Sequence, residues 1–127
     1  MKTTILISLL SAICVAASAQ DPMTTSPQYY KVLLENDQVR VLEYRLKPGE
    51  IEPMHSHPAG VVYVLSGATL KFSYPDGRTE EKAAATGEAI WRDPVTHAVE
   101  NIGKTEAHAI AIDLKTQSRK EEGRPKN

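Results

Sequence analysis

Between Lys31 and Leu114 the chain is broken about every 8 to 12 residues by turn-forming residues, a cadence too short for helices. Asn36-Asp37, Pro48-Gly49, Ser66-Gly67, Pro75-Asp76-Gly77, Gly87 and Gly103-Lys104 mark the breaks. The runs between them predict strands over 31–35, 38–46, a stretch through His55, 61–65, 70–74, 78–85, 89–91 and 97–101, and from His108 to Leu114. In 38–46, Arg40, Leu42, Tyr44 and Leu46 alternate with Val39, Val41, Glu43 and Arg45. Both faces are then partly apolar, which places that strand in a two-layer structure. Many short strands without a long helix predict an all-β sandwich or barrel, and no repeat of propeller or solenoid length is present.

The two ends read differently. Lys2 followed by the apolar run Ile5–Ala17 and Ala17-Ser18-Ala19 fits a secretory signal peptide over 1–19, so the mature chain is expected to begin at Gln20. That run is short of the roughly 20 apolar residues a membrane span needs. Removing 19 of 127 residues leaves 108, enough for one small domain, 31–114. Cys14, the only cysteine, goes with the leader, which excludes disulfides and thiol nucleophiles from the mature protein. Only Lys2 is lost among the charges, leaving 14 basic against 16 acidic residues. No basic stripe points to nucleic acid, and no second apolar span points to a membrane. The expected location is exported, periplasmic or extracellular. Residues 20–30, with two prolines, read as a flexible arm whose Tyr29 and Tyr30 pack on the body or on a partner; 115–127 reads as a charged, flexible tail.

Chemistry is concentrated in Pro48–Gly67. His55 and His57 are two apart, so a strand presents both imidazoles on one face. Neutral imidazole is a common ligand for Zn, Fe, Ni and Cu, but two ligands rarely hold an ion alone. The competing reading is a pair of exposed or hydrogen-bonded histidines near a turn. Glu52, three residues before His55, falls on the opposite face of a regular strand. Trp91 and Met54 are expected in the core, Asn101 as a turn or structural amide, and His108 on the surface or in a hydrogen bond.

Gly49, five residues, His55-Ser56-His57 and the closing Val61–Gly67 resemble the first motif of a small single-domain cupin, and Gly87, Pro94, His97 and Asn101 follow the order of its second, with a shorter Pro94–His97 interval that lacks the usual glycine. The resemblance spans roughly 38–114. It implies a cupin-type jelly-roll β-barrel of short antiparallel strands. It also implies that His97 joins His55 and His57 around one divalent ion, with iron the first choice and Mn, Ni, Cu or Zn possible. The motif's glutamate is missing: its place falls on Gly60, or on Val61 or Val62. An ion held by three neutral imidazoles keeps its full charge and attracts anionic or bidentate oxygen ligands. Similar three-histidine cupins include dioxygenases that bind a small oxygen-bearing substrate directly on the ion. A non-catalytic small-ligand-binding or structural cupin is the alternative, with an isomerase or epimerase third. The small core and open strand edges favour a homodimer, with the N-terminal arm as the exchanged element.

Overall fold

The computed structural model of the protein describes residues 20–116; the expected leader and most of the tail lie outside the described residues. Among the described residues, nine strands follow a short α1 (Pro22–Thr25) and a 3-10 turn (Pro27–Tyr29): β1 (Tyr30–Glu35), β2 (Val39–Leu46), β3 (Ile51–His57), β4 (Gly60–Ser66), β5 (Ala68–Ser73), β6 (Thr79–Ala84), β7 (Ala89–Arg92), β8 (Val95–Asn101) and β9 (Ala107–Leu114). They form a five-stranded sheet in the order β1-β2-β9-β4-β7 and a four-stranded sheet in the order β3-β8-β5-β6. Every pairing is antiparallel. The all-β jelly roll expected from the sequence is the fold observed.

Turn chemistry explains the hairpins. Asn36 Oδ1 accepts from the backbone N–H groups of Gln38 and Val39, at 2.8 and 2.9 Å, and so closes the β1–β2 turn. In the β5–β6 turn Gly77 sits at φ 86°, a conformation glycine adopts without a Cβ penalty, while Asp76 Oδ1 accepts from Arg78 N.

The interior is small and unusually polar. Buried Leu42, Leu46, Val64, Ala68, Val99, Ala107, Ala109 and Ala111 share it with buried Ser26, Glu52, His55, His57, His97, Asn101 and Asp113. Along β9 the inward positions are three alanines and an aspartate, while Ile110, Ile112 and Leu114 lie on the other face. Small inward side chains leave room that leucine or isoleucine would fill, and a cavity of about 540 Å³ lies there.

The segment 20–30, expected as a flexible arm, is folded onto its own domain. Asp21 caps α1 by accepting from Met23 N at 2.8 Å, and Gln20 O accepts from Ser56 N at 3.0 Å. Tyr29 Oη donates to Ile51 O at 3.4 Å, and Tyr30 pairs in register with Tyr44, their rings 5.0 Å apart. Both tyrosines therefore pack on the body, because each finds a partner there.

Candidate metal centre

β3 and β8 bring the histidines together. His55 stands directly opposite His97 in the ladder, and His57 follows on the same face of β3. The ring centroids are 4.7 Å apart for His55–His57, 4.9 Å for His55–His97 and 5.6 Å for His57–His97. One nitrogen from each lies within 4.8 Å of the others. All three rings are buried, and Phe72 packs 5.3 Å from His97.

Burial lowers the pKa of each ring: His55 falls below the ordinary value, His57 to about 2 and His97 to about 3. The Arg92 guanidinium and the neighbouring imidazoles add to the effect at His57 and His97. Neutral rings keep a lone pair. His55 Nδ1 lies 2.7 Å from the Pro53 carbonyl, which can only accept, so Nδ1 carries the proton and Nε2 the lone pair. That Nε2 and His57 Nδ1 are buried without a hydrogen-bond partner among the described residues. Orphaned nitrogens in a cluster of neutral imidazoles could hold a metal ion.

Glu52 overturns the face assigned to it from sequence. Between Glu52 and His55 the β3–β8 register shifts: Glu52 faces Val99 and His55 faces His97, so Pro53 and Met54 stand opposite Ala98 alone. One extra residue reverses the parity and turns Glu52 inward. Its side chain is 0% exposed, and Oε1 lies 3.3 Å from His55 Nδ1. Burial raises its pKa to about 7, opposed by the neighbouring Tyr30, Tyr44 and Ser26 hydroxyls. A signal was present: proline inside a strand marks an edge or a bulge.

Of the three places the motif glutamate could take, Gly60 is closed to any side chain. A Cβ on Gly60 would stand 2.1 Å from the backbone oxygen of Ile112 and 3.1 Å from Arg92 Nη2, so no side chain fits there. Arg92 and Asp113 are the ladder partners of Gly60 and occupy that corner. Asp113 is 2% exposed, accepts from Arg92 Nη2, and accepts from Arg40 Nη2 at 3.0 Å. Arg40 also bonds Asp21 at 2.7 Å, and Arg92 Nη2 donates to Pro58 O at 3.2 Å. Asp113 Oδ1 lies 3.9 Å from His57 Nδ1, beyond hydrogen-bonding distance.

The remaining sequence candidates lie elsewhere. Trp91 and Met54, expected in the core, are exposed, at 58% and 37%; Trp91 donates from Nε1 to Asp93 and stands at the cavity wall. Edge strand β7 and the β3 bulge turn them outward. Asn101 is a structural amide: Nδ2 donates to Leu46 O and Thr105 O, and Oδ1 accepts from Gly103 N. His108 bonds Glu43 at 2.8 Å, outside the trio.

Residues 42–113, more than half of the chain, match the Cupin domain family, and the chain belongs to that family. Similar solved structures include a cupin domain from Bordetella pertussis Tohama I, 28% identical, covering 68% of this chain and 92% of that one, with a TM-score of 0.63. The polyketide cyclase RemF from Streptomyces resistomycificus is 24% identical, covering 70% and 66%, with a TM-score of 0.52. An RmlC-like cupin with a double-stranded β-helix fold from Methanocaldococcus jannaschii is 14% identical, covering 68% and 78%, with a TM-score of 0.55. At those identities the last two speak to the fold alone. No curated protein matches the sequence.

Proposed function

We propose that this cupin holds one divalent ion, iron by preference, on His55, His57 and His97, and acts as a dioxygenase-type oxidoreductase on a small oxygen-bearing molecule. The observation that carries the reading is the trio itself: three buried, uncharged imidazoles with nitrogens within 4.8 Å of one another. When bound, iron supplies Lewis acidity and redox chemistry with oxygen. The chain does the rest. His55 Nδ1–H, tied to Pro53 O, fixes which nitrogen faces the site. Val62, Val64, Leu70 and Phe72 on the cavity wall exclude water and favour a hydrocarbon body in the ligand. Three neutral donors leave the ion's charge undiminished, which favours an anionic oxygen ligand.

The test is oxygen uptake by protein loaded anaerobically with iron, over a panel of phenols and hydroxylated carboxylates, beside His57→Ala. Substrate-dependent uptake that the mutant lacks is expected. Metal binding without uptake for any compound would move the reading to a small-ligand-binding cupin. One observation favours that second reading: position 60 is closed to a side chain and valines occupy 61 and 62, so none of the three places for the motif's glutamate carries a carboxylate.

Export is part of the proposal and rests on the leader-like 1–19. So is a homodimer, supported now by edge strand β1, where Val32, Leu33 and Leu34 are exposed together, rather than by an exchanged arm. A dimer mass in light scattering is expected, and a concentration-independent monomer mass would contradict it.

A further inference from the structure

Glu52 is a buried carboxyl that the metal reading does not use. It is wholly shielded from solvent, and the Tyr30, Tyr44 and Ser26 hydroxyls stand close to its oxygens, yet among the described residues neither oxygen receives a hydrogen bond of good geometry and the Tyr44 hydroxyl makes none. Tyr30 stands beside both, its ring 5.0 Å from that of Tyr44. A buried polar group left this way is destabilising, and native interiors rarely tolerate it. All three side chains line the cavity, so the missing partner belongs inside it.

The chemistry of that partner can be read from the two kinds of group waiting for it. A carboxylate accepts, whereas a phenol both donates and accepts. A hydroxyl satisfies both at once, donating to Glu52 and accepting from Tyr44. An ammonium group could donate to the carboxylate but could not accept from the phenol.

We propose that Glu52, Tyr30 and Tyr44 form a subsite for a ligand hydroxyl, so that the occupant of this cavity is a hydroxylated carboxylate with a hydrocarbon body. The hydroxyl rests on Glu52 and the tyrosines alone. The carboxylate rests on the proposed three-histidine ion. A single water would also satisfy the same atoms, and the experiment separates water from a ligand hydroxyl.

Benzoate and its 2-, 3- and 4-hydroxy derivatives are titrated by calorimetry into the metal-loaded and metal-free protein, into Tyr44→Phe, and into Glu52→Leu, each checked for native circular dichroism. The expected result is that at least one hydroxybenzoate binds wild type about tenfold more tightly than benzoate, a gain a charge-assisted hydrogen bond can supply. Read as the ratio to benzoate in the same variant, that gain falls below about twofold in Glu52→Leu and shrinks in Tyr44→Phe. Equal affinity for all four acids, absence of binding included, would overturn the subsite, as a resident water predicts. A hydroxyl gain that persists with leucine at position 52 would overturn it too. A gain in protein that takes up no metal would uphold the subsite and sink the ion; metal uptake without any gain would do the reverse.

Discussion

Asp113 and Glu52 are buried carboxylates beside the same three imidazoles, Asp113 3.9 Å from His57 Nδ1 and Glu52 3.3 Å from His55 Nδ1. Asp113 is gripped by the guanidiniums of Arg40 and Arg92. Glu52 has no hydrogen-bond partner among the described residues. A charge compensated on both oxygens is part of the scaffold: it ties β9 to β2 and β7 and fills the corner that Gly60 leaves. A carboxyl kept without compensation lowers stability, and such a group persists where a ligand completes it. The difference separates the wall that holds the site from the wall that waits for an occupant.

The largest effect is expected at Asp113. Asp113→Ala leaves the largely buried Arg92 without a carboxylate partner and Arg40 with Asp21 alone, and denaturant unfolding should show a loss of about 3 kcal/mol. A loss near zero would mean that the arginines relax to solvent and that Asp113 is no anchor.

Glu52 should behave in the opposite sense. Its folded pKa of about 7 lies above the ordinary carboxyl value, so the folded state keeps the proton longer. Stability from this group is present below pH 4.5 and is lost as pH rises towards 7. Glu52→Gln in metal-free protein should therefore match wild type at pH 4 and exceed it by up to about 3 kcal/mol at pH 8. A variant less stable than wild type at pH 8 would show that the carboxylate is compensated after all. The histidines slope the other way: with folded pKa values of about 2 and 3, His57 and His97 contribute stability present above pH 6.5 and lost as pH falls.

The smallest effect belongs to the outer face. His108→Gln removes one of the two partners of Glu43, a hydrogen bond near solvent, and leaves Arg45 as the other, so the unfolding midpoint and metal content should stay close to wild type. A large change would erase the contrast between buried and surface carboxylates.

What was legible in the sequence was whatever depends on local period and turn chemistry. The strand cadence, the Asn36-Asp37 and Pro75-Asp76-Gly77 turns and the shared face of His55 and His57 need only the two-residue repeat of a strand. His97 came through resemblance, and the ladder sets it opposite His55. Glu52 was assigned the wrong face because a bulge is a property of pairing between strands, although Pro53 marked where a regular strand would fail. The Arg40–Asp113–Arg92 cluster joins residues far apart in the chain, which no local pattern connects. Its one trace was an aspartate in phase with the alanines of Ala107–Leu114. The reason for glycine at position 60 is the approach of β9, a contact that exists only once the sheet is formed.

Elemental analysis of protein purified without chelator or affinity tag, beside His57→Ala, decides whether His55, His57 and His97 form a metal centre. About one equivalent of a divalent transition metal in wild type, lost in the mutant, is the predicted result. Protein that carries no metal and takes up none of Fe, Mn, Ni, Cu or Zn when they are supplied would contradict it.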